Sequence, residues 1–147
     1  MVDKVLFSHD SDEWQTPKGL YDQLNAEFEF MTDPCTTPDN PLGTKIFYTK
    51  EDNGLVQDWK GNTFINPPFS QTKEWVRQAY NIHYMRDKFE YVCGKIVMLL
   101  PARTDTKWFH MYVYQKRNID IRFIKGRLRF GGAKNSAPFP SMIVIFR

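Results

Sequence analysis

The stretch Thr63-Phe64-Ile65-Asn66-Pro67-Pro68-Phe69 decides how this sequence should fold. Its first three residues are β-branched or aromatic and predict a short strand. The strand must end at Asn66, because proline cannot donate to a sheet ladder and fixes its own backbone angle. A helix is predicted directly after this turn, over residues 72–89, where apolar residues recur at helical spacing.

The same alternation of strands and helices extends in both directions along the chain. Thr16-Pro17 is typical of a helix start, with threonine as the N-cap and proline at the first helical position. The other predicted helices cover residues 17–28 and 105–115, and the other predicted strands cover 28–32, 45–48, 95–100, 119–124, 127–130 and 142–146. This order predicts an α/β fold with a mostly parallel central sheet and an antiparallel C-terminal edge, in a single domain over residues 1–147.

Three residues are expected to meet at one edge of that sheet. Asp33, Asn66 and Pro101 each lie just past a predicted strand. Parallel strands end at the same edge, and folds of this kind bind their ligands there. The sequence therefore predicts a binding site at this edge.

The composition limits the class of protein. The chain has 147 residues, of which 41% are hydrophobic and 25% charged, so it should fold as one globular domain with its own core. It contains no run of about 18 apolar residues and no apolar signal segment at its N-terminus, so we expect a cytoplasmic protein. Its two cysteines have no partner spacing for zinc and predict thiols without a metal site.

Charge is distributed unevenly along the chain. The net charge is +3, yet residues 101–147 contain ten Lys and Arg and only two Asp. A basic C-terminal third predicts a polyanionic partner, most simply nucleic acid. The alternative is an ordinary solvated surface with uneven charge.

The turn Asn66-Pro67-Pro68-Phe69 carries the clearest chemistry. The Asn66 side chain and the Pro67 carbonyl offer two acceptors on a rigid loop, which can hold the two hydrogens of an exocyclic amine. If a methyl group is transferred to that amine, the nitrogen becomes more positive, and acceptors aimed at it stabilise the developing charge. Phe69 offers a flat face on which a base can stack. The alternative is a proline turn after a strand with a phenylalanine in the core.

Three further segments carry candidate binding groups. Trp14 with Thr16-Pro17 would contact a ligand's amino-acid end, unless the segment only caps a helix. Asp33 would pair with a ligand ammonium, unless it caps the next turn. The acidic segment Asp52–Trp59 would bind ribose hydroxyls and an adenine ring, unless it is a polar turn with its tryptophan packed inside.

Together these segments resemble the phage N6-adenine DNA methyltransferase family, which is related to Dam-type enzymes. The resemblance covers nearly the whole chain in a consistent order. Its blocks are Glu13–Pro17, Phe30–Cys35, Asp52–Trp59, Asn66–Phe69, Leu99–Thr106 and Gly126–Phe139. Two departures stand out: Asp33-Pro34-Cys35-Thr36 replaces the glycine-rich loop of many methyltransferases, and Phe69 stands where many relatives have tyrosine.

The resemblance implies a Rossmann-like methyltransferase fold, S-adenosylmethionine as cofactor and adenine N6 in DNA as the methylated atom. It implies catalytic roles for Asn66, Pro67, Pro68 and Phe69. It implies cofactor contacts from Trp14, Thr16, Pro17, Asp33, Cys35, Asp52 (or Glu51) and Asp58. DNA contacts are expected from Arg103, Lys107, Arg127, Arg129, Lys134 and Asn135. The implied setting is a bacterial host cell, with the protein encoded by a phage or prophage, and with no metal or membrane partner.

Three alternatives remain open at this point. The first is methylation of cytosine N4, where the same pair of acceptors serves a different amine. The second is methylation of a glutamine on a protein, which also uses an Asn-Pro-Pro turn but does not explain the basic C-terminal third. The third is a DNA-binding module without activity, against which the intact Asn66-Pro67-Pro68-Phe69 turn argues.

Overall fold

The computed structural model describes residues 14–89 and 93–147. Glu13, the first residue of one block named above, lies outside them. The described helices and strands are, in chain order, α1 (Lys18–Phe28), β1 (Thr32–Thr36), β2 (Ile46–Thr49), β3 (Gly61–Ile65), α2 (Thr72–Phe89), β4 (Cys93–Pro101), α3 (Lys107–Tyr112), β5 (Ile119–Phe123) and β6 (Ser141–Phe146). Two short 3-10 turns, Gly54–Val56 and Phe69–Gln71, precede β3 and α2.

The strands form one sheet in the order β2-β1-β3-β4-β6-β5. β2, β1, β3 and β4 are parallel, whereas β6 runs antiparallel to both of its neighbours, β4 and β5. The predicted α/β fold, with a mostly parallel sheet and antiparallel C-terminal pairing, is confirmed. It is consistent with a Rossmann-like methyltransferase fold.

The sheet separates two apolar clusters, and the side chains of β4 alternate between them. Val97 and Leu99 pack with α1 and with the loop between β5 and β6. Ile96, Met98 and Leu100 pack with α2 and α3 on the other face. Apolar burial packs helices against both faces of the sheet and so holds the strands in place. The ends of the parallel strands therefore lie together at one edge.

The first strand lies later in the chain than predicted. We predicted a strand over 28–32 and a turn at Asp33-Pro34-Cys35, but β1 contains these three residues. α1 continues to Phe28, and its cap residue Glu29 adopts a left-handed φ of 52°, so the strand begins only at Thr32. Pro34 suggested a turn because it cannot donate to a ladder. The strand accommodates it by a shift in the register between β1 and β2.

Two C-terminal predictions also need correction. Residues 127–130 form no strand, and only an isolated bridge joins Gln15 to Gly131, because the apolar side chains there pack on the cluster around α1. α3 spans six residues rather than 105–115. Thr106 caps its N-terminus by accepting from the Phe109 backbone, and Gln115 has a left-handed φ of 56° that ends the helical path.

Both cysteines are thiols, and burial raises the pKa of Cys93 to about 11. Among residues 14–89 and 93–147, no group of three or more His, Cys, Asp and Glu side chains could hold a metal ion. Over the same residues, no helix is long and apolar enough to cross a membrane.

Candidate active site

A narrow cleft opens where β3 and β4 end. Asn66 and Pro67 directly follow β3, Pro101 is the last residue of β4, and all three line the cleft. The predicted meeting of Asn66 and Pro101 at one edge of the sheet is therefore observed. Asp33 lies within the neighbouring strand β1 rather than beyond its end.

Asn66 is held in one orientation by the segment that precedes α1. Its Nδ2 donates to the backbone oxygen of Trp14 and, at 3.0 Å, to Oγ1 of Thr16. A backbone carbonyl can only accept, so the amide nitrogen must be the atom that faces Trp14. Both Nδ2 hydrogens are used there, and Oδ1 consequently points away from this segment as an acceptor.

The turn after Asn66 is closed by its own hydrogen bonds. The Gln71 amide donates to the Pro68 carbonyl and the Thr72 hydroxyl to the Phe69 carbonyl, each at 2.9 Å. Pro67 is buried, and no donor in the described ranges is bonded to its carbonyl. The turn therefore keeps the Pro67 carbonyl beside Asn66 on a backbone that two prolines restrict.

Thr16 serves the site rather than the helix. The predicted N-cap role of Thr16 is wrong, because Pro17 occupies the cap position of α1 and no side chain caps the helix. The Thr16 hydroxyl instead accepts from Asn66. Pro17 contributes its carbonyl, which accepts from the Tyr21 amide at 3.0 Å and begins the helix.

Trp14 lines the cleft with an unsatisfied donor. Its ring meets Phe130 and Phe139 edge-on, with centroids 5.3 Å and 5.6 Å away. Its Nε1 is buried and has no acceptor among the described residues. An unmade hydrogen bond of this kind costs on the order of 1–3 kcal/mol, which is expected of a group that a ligand satisfies.

The ring of Phe69 has two close neighbours. Phe139 lies 5.4 Å away between centroids at a tilt of 43°, and the Arg103 guanidinium carbon lies over the ring, 4.7 Å from its centroid. Phe69 and Pro101 line both the cleft and a second cavity of about 180 Å³. That cavity is also lined by Arg103, Lys73 and three hydroxyl side chains.

Asp33 is a buried carboxylate, with 3% of its surface exposed. Burial raises its pKa to about 7, against the opposing effect of a hydrogen bond from the Cys35 amide at 3.2 Å. Burial, and then the charge of Asp33, raise the pKa of Tyr21 to about 12. No cationic side chain in the described part of the chain forms an ion pair with Asp33.

The acidic segment Asp52–Trp59 follows β2 as a turn. Asp52 Oδ2 accepts from the amide and hydroxyl of Thr49 at 2.8 Å and 3.0 Å, and Asp58 is exposed. Trp59 is only 2% exposed, donates to the Gly54 carbonyl at 2.8 Å and stacks on Trp75. The Trp59 side chain is therefore packed inside, whereas those of Asp52 and Asp58 are exposed.

Comparison with known proteins gives this geometry a family. The chain matches the family model described as DNA N-6-adenine-methyltransferase (Dam) over residues 4–147. It belongs to this family. The DNA N-6-adenine-methyltransferase of Haemophilus phage HP1 is 30% identical over 145 residues, covering 93% of this chain and 79% of that protein. The DNA N-6-adenine-methyltransferase of Escherichia phage T1 is 32% identical over 101 residues, covering 67% of this chain and 39% of that protein. The predicted family is thus confirmed.

In this member of the Dam family, the loop between β5 and β6 brings basic residues beside the cleft. Phe130 and Phe139 pack against Trp14, and the Gly131 amide donates to the Gln15 carbonyl at 2.9 Å. These contacts hold the loop next to the segment that orients Asn66. Exposed on the loop are Arg127, Arg129, Lys134 and Asn135, while Arg103 and Lys107 are exposed between β4 and the body of α3.

Phe130 and Phe139 are site residues that sequence reasoning did not single out. Both line the cleft, and Phe139 contacts Phe69. The available signal was a pair of large aromatic residues, one on each side of Gly131-Gly132, in a loop rich in basic residues. Large aromatic residues in such a loop indicate that the loop packs against an apolar surface of the protein.

Proposed function

We propose that this protein transfers a methyl group from S-adenosylmethionine to the N6 amine of adenine in DNA. The observation that carries the proposal is the fixed orientation of Asn66, whose Nδ2 is bound by Trp14 and Thr16 and which lines the cleft together with Pro67. Membership of the Dam family supports adenine N6 over cytosine N4 and over a protein glutamine. The intact pair of acceptors argues against an inactive DNA-binding module.

The residues present fit the methionine end of S-adenosylmethionine. The buried Trp14 Nε1 matches the carboxylate of that end, and the buried carboxylate of Asp33 matches its ammonium. We assign Thr16, Pro17 and Cys35 to the same part of the site. When bound, S-adenosylmethionine supplies a methyl group activated by the positive charge on its sulfur.

The acidic segment after β2 is assigned to the adenosine part of the cofactor. Both hydrogen bonds from Thr49 use Oδ2 of Asp52, so its Oδ1 is the oxygen assigned to a ribose hydroxyl. Exposed Asp58 is assigned to the cofactor's adenine ring. Trp59 takes no part, because its ring and its donor are committed to the core.

Asn66 and Pro67 act on the target amine. Asn66 Oδ1 and the Pro67 carbonyl accept one hydrogen each from N6 and so direct its lone pair. As the N6–methyl bond forms and the methyl–sulfur bond breaks, these dipoles stabilise the positive charge that grows on N6. The N6 proton becomes acidic during transfer and leaves afterwards, so no strong general base is needed. Pro68 keeps the turn rigid, and Phe69 stacks on the base, a contact worth about 1–3 kcal/mol.

DNA binding is assigned to the basic residues around the cleft. The target base must leave the duplex, because its amine is otherwise out of reach. We assign phosphate contacts to exposed residues, namely the cations of the loop between β5 and β6 with Arg103, Lys107 and Asn135. Such a protein would act on DNA in the cytoplasm of a bacterial cell.

The test is a transfer assay with labelled S-adenosylmethionine and DNA that lacks adenine methylation. Digestion to nucleosides should place the label on N6-methyladenine. Label on N4-methylcytosine or on protein, or the absence of label, would contradict the proposal. Asn66→Ala is the matched negative control, since it removes one acceptor and none of the side chains that are assigned to the cofactor.

A further inference from the structure

Phe139 and Arg103, the two neighbours of the Phe69 ring, differ in how many contacts hold them in place. Phe139 also packs against Trp14 and Phe130, within the cluster around α1. Arg103 is exposed and forms no ion pair with any described side chain. Its guanidinium rests on Phe69 through a single cation–π contact at 4.7 Å. Of the two, only Arg103 can leave without disturbing the core.

We propose that Arg103 occupies the target-base position in the DNA-free protein and is displaced by the flipped adenine. The inference rests on the proposed function, because it assigns the stacking face of Phe69 to the substrate base. A guanidinium over a ring face and a base stacked on the same face exclude each other. Base stacking on an aromatic ring is stronger than a cation–π contact at an exposed site, so the incoming adenine displaces the guanidinium.

The backbone of Arg103 is held by hydrogen bonds, whereas its side chain can change rotamer. Its amide donates to the Pro101 carbonyl at 2.8 Å, and its carbonyl accepts from the Thr106 hydroxyl at 2.8 Å. Thr106 in turn caps α3. The backbone of Arg103 is therefore held at both its amide and its carbonyl, while the long side chain has no second hydrogen bond or ion pair among the described residues.

The second cavity offers the displaced Arg103 guanidinium a place where it could bind a phosphate. Arg103 lines the second cavity beside Lys73 and three hydroxyl groups. Two cations and several hydroxyls suit a phosphate oxygen, and arginine can bind one with two hydrogen bonds. We assign Arg103 in the DNA complex to the phosphate next to the flipped nucleotide. Arg103 then couples base flipping to backbone binding.

Side-chain NMR of Arg103 tests the placement directly. In the free protein its δ-CH₂ protons should be shifted upfield by the Phe69 ring, and Phe69→Leu should remove that shift. Adding a duplex that the enzyme methylates should also remove it, whereas an equally long duplex without adenine should leave it. A free protein without the upfield shift, or a substrate complex that retains it, would overturn the proposal.

Removal of the side chain gives a second test with effects of opposite sign. Arg103→Ala should bind deoxyadenosine, which carries no phosphate, several-fold more tightly than the wild type, measured by shifts of the Phe69 ring signals. The same variant should raise KM for DNA about tenfold. Arg77→Ala, which removes an exposed cation from α2, should change neither value. Weaker or unchanged deoxyadenosine binding in Arg103→Ala, or no effect of deoxyadenosine on Phe69, would contradict displacement.

The two proposals fail in different ways. If the protein methylates no DNA, the proposed function is wrong, and the free-protein spectrum still reports whether Arg103 lies on Phe69. If methylation proceeds and the Arg103 signals do not respond to substrate DNA, the function stands and the displacement is wrong.

Discussion

Asn66 donates both hydrogens of its side-chain amide to the segment before α1. Its Oδ1 is therefore left as an acceptor that points away from that segment. The Trp14 carbonyl cannot donate, so a flipped amide would set two acceptors against each other. The residue is therefore preorganised before any substrate arrives. Preorganised acceptors stabilise developing charge without reorganising during the reaction.

Two substitutions of Asn66 separate its acceptor from its donors. Asn66→Ala should lower kcat by about 10²–10³-fold, the usual loss for one preorganised group, with S-adenosylmethionine affinity nearly unchanged. Asn66→Asp keeps an acceptor but loses both donated hydrogen bonds, so its kcat should fall between those of Asn66→Ala and the wild type. Asn81→Ala, an exposed change on α2, is the control. Full activity in Asn66→Ala, measured by labelled methyl transfer, would rule out the acceptor mechanism.

Asp33 should make cofactor binding depend on pH. Burial raises its pKa to about 7 in the free protein, and a ligand ammonium pairs only with the charged form. S-adenosylmethionine affinity should therefore fall as the pH drops below about 7, approaching tenfold per pH unit. Calorimetric titration of wild type and Asp33→Asn between pH 5.5 and 7.5, a range set around that pKa of about 7, is the measurement. Equal pH dependence in both proteins would remove Asp33 from the assigned role.

The same residue has the opposite effect on the stability of the free protein. A folded-state pKa raised from 3.8 to about 7 means that the native state binds the proton more tightly than the unfolded chain does. The contribution of Asp33 to stability is thus fully present below about pH 4 and is lost as the pH rises through 7. Asp33→Asn should accordingly gain thermal stability relative to the wild type at pH 8, and this gain should vanish near pH 4.

At the scale of elements, Gly54 joins the acidic segment to β1. A side chain there would place Cβ 1.8 Å from the Pro34 carbonyl oxygen, so the two backbones can approach only because the residue is glycine. The Gly54 carbonyl also accepts from Trp59. This close approach sets where Asp52 and Asp58 lie relative to Asp33.

Two glycine substitutions test that packing with opposite expected signs. Gly54→Ala should lower the free energy of unfolding by about 2 kcal/mol or more, because backbone must move to relieve the clash. Gly19→Ala should raise it by about 0.5–1 kcal/mol, since Gly19 lies in α1 with nothing near its missing Cβ. Urea unfolding of both variants gives the comparison. A neutral Gly54→Ala would show that the loop is not tied to β1.

Elements marked by strong local signals could be predicted from the sequence, and those set by distant contacts could not. α2 spans Thr72–Phe89 as predicted, because its apolar period begins directly after two prolines. The predicted strand at 28–32 differs from β1 because Pro34 predicts the end of a strand, whereas β1 contains this proline. Residues 127–130 alternate between polar and apolar as a strand does, but they pair with no described strand. Their apolar side chains pack in the cluster that contains α1 and Trp14.

The candidate site divides in the same way. The Asn66–Phe69 turn is local, and its place after a strand was visible in the sequence. The bond from Asn66 to Trp14 spans 52 positions, and the Arg103 contact with Phe69 joins two different strand ends. No local pattern encodes such contacts, so Thr16-Pro17 by itself predicts a helix cap and not a contact with Asn66.

At the scale of the whole molecule, the uneven charge of the sequence becomes a spatial asymmetry. The basic loop between β5 and β6 is anchored beside the cleft through Phe130 and Phe139. The fold thereby places cations from the C-terminal third next to the turn that holds the amine. A polyanion attracted to this region is brought to the reacting group.

Salt dependence of DNA binding tests this arrangement. A variant with Arg127, Arg129 and Lys134 replaced by alanine should bind DNA with a weaker dependence on salt. Its slope of log K against log[salt] should be smaller in magnitude by about 1–3, since each phosphate contact contributes about 0.9. Turnover at saturating DNA should change little, because none of these side chains lines the cleft. The matched control removes three exposed cations near the starts of β2, β4 and β5, at the opposite edge of the sheet: Lys45, Lys95 and Arg117. Equal loss of salt dependence in both triple variants would show a diffuse charge effect and would separate the basic loop from DNA recognition.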